Sequence, residues 1–131
     1  MIIVVDASVV VEALTVPQSL ASDALRRCDA AISPAHLDAE VGHALRGLVR
    51  GGLLDATEAR DCLDDVATSG IVRFPLAPLV RRAFELRENM TFYDALYVAL
   101  AELQDLPLVT TDSKYTRVPG LRCGIEVVPI K

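Results

Sequence analysis

Short hydrophobic runs alternate along the chain with longer amphipathic segments, a pattern typical of parallel α/β proteins. The chain opens on apolar, mostly β-branched residues over positions 1–5, which predict a central parallel strand. Residues 92–104 predict a helix, and residues 108–110 predict a second buried strand after a turn at Pro107. Between residues 93 and 103 only Asp94 and Glu102 interrupt the apolar run, so most faces of this helix should contact protein.

The rest of the chain continues the alternation of strands and helices. The remaining predicted elements are a helix over residues 9–14 with Asp6 or Ser8 at its N-cap, a helix over 17–29, a strand over 31–33, a helix over 34–50 with Ser33 as N-cap and Pro34 at its first position, a helix from Asp55 or Thr57 to about residue 68, a strand over 71–74, a helix over about 79–88 and an edge strand over 125–128. Together they predict a parallel α/β sandwich.

Several acidic side chains lie at predicted strand ends and helix starts, where parallel α/β proteins bind ligands. Asp6 and Asp112 follow predicted strands, and Asp94 lies in the first turn of a helix. In a parallel sheet these ends face one crevice. Glu40 lies about 80° from the centre of its helix's apolar stripe, on the border of that stripe. Each acid also has an ordinary interpretation, because Thr91 with Asp94 can form a capping box, Asp112 can be a turn residue, and Glu40 can be a solvated flank.

Composition narrows the class of protein. At 131 residues the chain fits one domain, and the 52% hydrophobic content supplies a core. The net charge of −5 argues against polyanion binding through bulk charge, although the eleven Arg against two Lys suit local phosphate contacts.

Cys28, Cys62 and Cys123 form neither a zinc spacing nor a disulfide framework, and we expect free thiols. The apolar start lacks a basic region and contains Asp6, so we expect a cytoplasmic protein without a membrane span.

Carboxylates forced into one crevice repel one another, and a divalent cation relieves that repulsion. Oxygen-only ligands favour Mg²⁺ or Mn²⁺ over zinc. Such ions activate water and neutralise charge on a phosphodiester. The acids therefore suggest metal-dependent phosphodiester hydrolysis.

Four short motifs, in this order and spacing, carry a family resemblance. They are D-x-S at Asp6 and Ser8, Glu40 in the helix after S-P-A, Y-D-A-x-Y-x-A-L-A over residues 93–101, and L-V-T-T-D over residues 108–112. The chain resembles the PIN-domain ribonucleases, and specifically the VapC toxins of type II toxin–antitoxin pairs. The resemblance implies a single three-layer α/β/α PIN-like domain over residues 1–131, with a mainly parallel sheet of about four to five short strands.

The same resemblance implies roles for individual residues. Asp6, Glu40, Asp94 and Asp112 would be the catalytic acids that hold Mg²⁺ or Mn²⁺, with Ser8 and Thr110 as supporting hydroxyls. Some family members carry a further acid after the last aspartate, where this chain has Ser113 and Lys114. Arg46, Arg50, Lys114 and Arg117 could contact RNA phosphates or simply be solvated.

The implied activity is endonucleolytic cleavage of tRNA or rRNA that leaves 5′-phosphate ends. The implied partners are a VapB-like antitoxin, the RNA substrate and a second copy of the chain in a homodimer. A PIN fold that binds RNA or an antitoxin with little or no nuclease activity is the alternative. His36 and His43 lack a third ligand at a matching spacing, and no D-x-D phosphatase motif, receiver-type acidic pair or G-x-S-x-G elbow occurs.

Overall fold

The computed structural model describes residues 1–130 and contains a five-stranded parallel sheet with strand order β3-β2-β1-β4-β5. The strands are β1 (Ile2–Val5), β2 (Ala30–Pro34), β3 (Val72–Phe74), β4 (Leu108–Thr110) and β5 (Ile125–Val127). The helices are α1 (Ala7–Thr15), α2 (Leu20–Arg27), α3 (Leu37–Arg50), α4 (Ala56–Ala67), α5 (Val80–Glu85) and α6 (Phe92–Gln104), with 3₁₀ turns at Ala77–Leu79 and Ser113–Arg117. None of the helices in the described part of the chain is both long and apolar enough to cross a membrane.

The central strand shows why the domain has three layers. Side chains along a strand point alternately to opposite faces. Ile3 and Val5 pack into an apolar cluster with α1 to α4, whereas Val4 packs into a second cluster with α5 and α6. Both faces of β1 are therefore covered, which confirms the predicted central strand and the three-layer α/β/α architecture with a parallel sheet.

The helix α6 is the most deeply buried of the helices. All seven residues from position 95 to position 101 are buried. Thr91 is the N-cap, and its hydroxyl accepts a hydrogen bond from the backbone N–H of Asp94 at 3.2 Å. The predicted helix over residues 92–104 is confirmed, and the cap leaves the Asp94 carboxylate free for other contacts.

Two predicted helix starts are wrong. Pro34 is the last residue of β2, opposite Phe74 of β3, and the helix begins only at Leu37 after His36. Parallel pairing with β3 outweighed the local Ser33-Pro34 start signal, and the Ser33 hydroxyl donates to the carbonyl of Pro34 instead of capping a helix. The helix predicted from residue 17 begins at Leu20, because the hydroxyl of Ser19 accepts from the Ser22 N–H and caps it there.

Other boundaries lie close to the predictions. The helix predicted over residues 79–88 is a 3₁₀ turn followed by the shorter α5, which ends at Glu85. The last strand lies at the edge of the sheet, as predicted, and is one residue shorter. All three cysteines are free, with Cys62 buried and the other two half-buried.

Candidate active site

The four predicted acids line one open pocket of about 390 Å³. Asp6 follows β1 and Asp112 follows β4, two adjacent parallel strands. Asp94 comes from the first turn of α6, and Glu40 comes from the first turn of α3. The parallel topology therefore brings together acids that are up to 106 positions apart in the chain (112 − 6).

Asp6 is the most buried acid, and it is also the N-cap of α1. One carboxylate oxygen accepts from the N–H groups of Ser8 and Val9 at 3.1 and 3.3 Å, and the other accepts from the Thr110 hydroxyl at 2.7 Å. Burial raises the pKa of Asp6 from 3.8 to about 6. The hydrogen bonds oppose this rise, and the charge of Asp94 adds to it.

Two hydroxyls connect Asp6 to the end of β4. The Ser8 hydroxyl donates to the Asp6 carboxylate and accepts from the Thr111 N–H at 3.1 Å. The fully buried Thr110 hydroxyl donates to Asp6 and accepts from the Asp112 N–H at 3.0 Å. These bonds fix the backbone that carries Asp112 relative to Asp6. The supporting role of the two hydroxyls in metal binding stays a prediction.

Asp94 and Asp112 share one cationic side chain. The Lys114 ammonium lies 2.8 Å from a carboxylate oxygen of Asp94 and 3.2 Å from one of Asp112. The backbone N–H of Lys114 also donates to Asp112 at 2.9 Å. Burial alone would raise the pKa of Asp112, but the hydrogen bonds and charge of Lys114 outweigh it and lower that pKa below its usual value. Contact with Lys114 was not predicted for either acid.

Glu40 is half-buried and points into the cleft, as one of the two interpretations of its border position requires. The Tyr97 hydroxyl donates a hydrogen bond to the Glu40 carboxylate at 2.6 Å. Burial raises the pKa of Tyr97, and this hydrogen bond raises it further. The Nε2 atom of the buried His36 lies 3.4 Å from the same carboxylate oxygen and 3.0 Å from the backbone carbonyl of Tyr93. The flank of α3 thus holds Glu40 against α6.

Sequence reasoning missed three ionisable side chains that line the pocket, namely those of Glu12, Tyr97 and Tyr115. Helical spacing could have indicated two of them, because Glu12 lies one turn beyond Ser8 and Tyr97 lies one turn beyond Asp94. Tyr115 lies in a 3₁₀ turn and had no such signal. Its buried hydroxyl has no hydrogen-bond partner among residues 1–130.

The predicted phosphate contacts have different positions. Lys114 lies among the acids, as described above. Arg46, Arg50 and Arg117 are exposed and do not line the acid pocket. Arg46 and Arg50 extend along α3 away from its acidic first turn. Their contact with RNA stays a prediction.

The donors of the pocket fit a hard divalent cation in type, because all four are carboxylates. Positive charge is already held between Asp94 and Asp112 by the Lys114 ammonium. A neighbouring cation would also favour the ionised form of the buried Asp6. Within the described residues, however, no three His, Cys, Asp or Glu side chains stand close enough together to hold an ion. The ligands thus match a hard ion in chemistry, and the side chains would have to move inward around it.

Comparison with known proteins agrees with this architecture. The PIN domain family model matches residues 3–121, and the chain therefore belongs to the PIN-domain family. Within that family it is similar to the ribonuclease VapC1 of Mycobacterium tuberculosis, with 43% identity over 128 residues that cover 95% of this chain and 96% of that protein.

Two solved structures show the same fold. The crystal structure of PAE2754 from Pyrobaculum aerophilum has a TM-score of 0.72 and 28% identity, and the match covers 97% of this chain and 92% of that one. A member of the VapBC family of toxin–antitoxin systems, VapBC-5 from Mycobacterium tuberculosis, has a TM-score of 0.63 and 22% identity over 98% of both chains. At that identity the second likeness concerns the fold alone.

Proposed function

We propose that the protein is the ribonuclease toxin of a VapBC-type toxin–antitoxin pair and that it cleaves structured RNA with Mg²⁺ or Mn²⁺. The observation that carries the proposal is the meeting of four carboxylates in one pocket at the ends of β1 and β4. Membership of the PIN-domain family and the similarity to a VapC ribonuclease support it. The residues that would hold the ion are Asp6, Glu40, Asp94 and Asp112.

Each acid has a separate task in this proposal. The ion, when bound, would activate a water molecule and neutralise charge on the phosphodiester. Asp6 is fixed by Ser8 and Thr110, so it serves as the rigid member of the set. Asp94 and Asp112 would hold positive charge on the side of the pocket where they now contact Lys114. Glu40, which accepts a hydrogen bond from Tyr97, contributes a carboxylate from the first turn of α3.

The proposed partners are a VapB-like antitoxin, a tRNA or rRNA substrate and a second copy of the chain. The antitoxin follows from the family resemblance and is supported by the similarity to the ribonuclease VapC1. The homodimer follows from the family resemblance alone, and we expect sedimentation at micromolar concentration to show it.

The proposed activity is tested with purified protein, free of antitoxin, and total RNA. We expect discrete cuts in Mg²⁺ or Mn²⁺ that disappear in EDTA, and sequencing of the ends should show 5′-phosphates and name the target RNA. Cuts that persist in EDTA would contradict metal dependence.

The binding-module alternative makes the opposite prediction. It is favoured by one observation, that the acids of the described residues do not stand close enough to hold an ion. Under that alternative, RNA or antitoxin would bind the folded protein without any turnover in either metal.

The contact of Lys114 with two acids predicts an effect on metal affinity. An ion bound by Asp94 and Asp112 has to displace the ammonium, so we expect Lys114→Gln to bind Mn²⁺ about three- to tenfold more tightly in calorimetric titration, given the modest energy of half-exposed ion pairs. Arg117→Gln is the matched control, because it removes a nearby charge without an ion pair to either acid. Equal affinity in the Lys114 variant and the parent protein would refute the competition.

A further inference from the structure

A second cavity adjoins the acid pocket and shares Glu40 with it. This cavity, of about 450 Å³, is lined by His36, Ala39, Glu40, His43 and Tyr93. His36, Glu40 and His43 lie on one face along α3 and its cap, at spacings of four and three residues. Tyr93 comes from the first turn of α6, immediately before Asp94. A molecule with one group among the acids could therefore extend a neighbouring group into this second cavity.

The Tyr93 ring is an exposed but supported platform. It is 63% exposed, whereas the other two tyrosines, Tyr97 and Tyr115, are each 1% exposed. The ring stacks on that of His36, with centroids 6.0 Å apart and planes 27° apart. His36 is itself buried, and its ring also packs against that of Tyr97, with centroids 4.8 Å apart. The platform is thus held in place before any ligand arrives, which lowers the entropic cost of stacking on it.

Charge restricts the ligand that this cavity can accept. Its lining contains no Lys or Arg, and Glu40 would repel a phosphate. A neutral, planar group that stacks on an aromatic ring is suited to such a lining. Unpaired nucleobases are groups of this kind, and proteins bind them on exposed aromatic side chains.

We propose that the cavity beside Tyr93 is a nucleobase subsite, which holds the unpaired base of a nucleotide adjacent to the phosphodiester at the acids. The proposal rests on the proposed function for the identity of the ligand as RNA. Because the base would have to leave its helix to reach Tyr93, the subsite selects single-stranded loops within a structured RNA over paired stems.

Tyrosine fluorescence can be used to measure whether a base stacks on Tyr93. The chain has no Trp and three Tyr, of which only Tyr93 is exposed. Because Tyr97 and Tyr115 line the acid pocket, the part of the emission change that the Tyr93→Phe substitution abolishes is the part that reports on Tyr93. We would titrate an unstructured oligoribonucleotide into the Asp94→Asn protein in Mg²⁺, following both tyrosine emission and the anisotropy of a labelled RNA. We expect saturable quenching, reduced by an abasic nucleotide in the RNA and absent for a paired duplex.

Two substitutions in that background test the ring itself. Tyr93→Phe keeps the stacking surface and should keep RNA affinity within about twofold while losing the quenching signal. Tyr93→Ala should lower affinity at least about fivefold, since base–aromatic stacking is worth that much or more. Phe84→Ala is the matched control, because Phe84 is 59% exposed on α5 and does not line the cavity. Circular dichroism checks that each variant is folded.

The outcomes separate this subsite from the proposed activity. RNA binding without quenching, or unchanged affinity in Tyr93→Ala, would overturn the subsite even if the parent protein cleaves RNA. Quenching by RNA without cleavage by the parent protein would support the subsite and count against the nuclease. Quenching by an antitoxin peptide but not by RNA would assign the cavity to a protein side chain and overturn the proposal.

Discussion

The Asp94→Asn variant is expected to lose RNA cleavage by at least about a hundredfold, the size of effect seen when one preorganised electrostatic contact to a reacting group is removed. The substitution takes one negative charge from the acid pocket and leaves a side chain of the same shape. Cleavage of a defined RNA in Mg²⁺ and Mn²⁺ measures the loss. Calorimetric titration with Mn²⁺ should show weaker binding as well.

The fold should survive this change. The N-terminal turn of α6 is capped by Thr91, not by the Asp94 carboxylate, and that cap is untouched. The ion pair that is lost joins Asp94 to a half-exposed Lys114, and pairs of this kind contribute little stability. We expect the unfolding temperature to stay close to that of the parent protein.

A matched control makes the result specific. Asp61→Asn is the same chemical change at an exposed position of α4, outside the pocket, and should leave cleavage intact. If Asp94→Asn cleaves as fast as Asp61→Asn, the acids of this pocket are not the catalytic site.

Elements with strong local signals were predicted well from the sequence. The helix α6 combines a Thr91 cap, an apolar run and a Pro107 turn beyond its end, and all of these signals agree with its burial. The strand β4 follows directly from that turn. Because local and tertiary preferences coincide there, residues 92–104 and 108–110 match the structure at both ends.

The start of α3 shows where local signals fail. Ser33-Pro34 is a good helix start by itself, yet both residues pair with β3 at the C-terminal end of β2. The decisive partner is Phe74, forty positions later (74 − 34), and its carbonyl accepts from the Ala35 N–H at 2.8 Å. No window around Pro34 contains that information, so tertiary pairing overrode the propensity.

The candidate site also has a part that the sequence predicts and a part that it does not. Strand ends and helix starts can be placed from sequence, and they were sufficient to bring Asp6, Asp94 and Asp112 to one crevice. Side-chain partners depend on packing between distant elements. The bond from Tyr97 to Glu40 and the bridge from Lys114 to two acids join α3, α6 and the turn after β4, and no spacing rule predicts them.

The second large effect concerns Asp6 and the pH dependence of stability in the metal-free protein. Burial raises its folded-state pKa to about 6 from 3.8. Between these two values the folded protein keeps a proton that the unfolded chain has released, so stability falls as pH rises. Well below pH 3.8 both states are protonated and the penalty is absent. Above about pH 6 the penalty is complete, at about 3 kcal/mol for a shift of this size.

Asp6→Asn removes this ionisation while keeping most of the cap. The amide oxygen can accept from the Ser8 and Val9 N–H groups, but the amide nitrogen cannot accept the bond that the Thr110 hydroxyl donates. Loss of that bond should destabilise the variant by about 1 kcal/mol at all pH values. The free energy of unfolding of the variant, relative to the parent protein, should therefore rise by about 2 kcal/mol between pH 4 and pH 7, and change sign within that range.

Urea unfolding in EDTA at pH 4, 5, 6 and 7 measures this difference. Asp38→Asn is a control for which stability should change with pH in the opposite direction. Hydrogen bonds from Arg73 lower the pKa of Asp38, so the ionised carboxylate stabilises the parent protein at pH 7 and this stabilisation is lost in acid. A difference between Asp6→Asn and the parent protein that does not vary with pH would show that Asp6 ionises normally. If the predicted difference is found and Mn²⁺ then stabilises the parent protein but not Asp6→Asn, the Asp6 carboxylate both destabilises the metal-free protein and binds the ion.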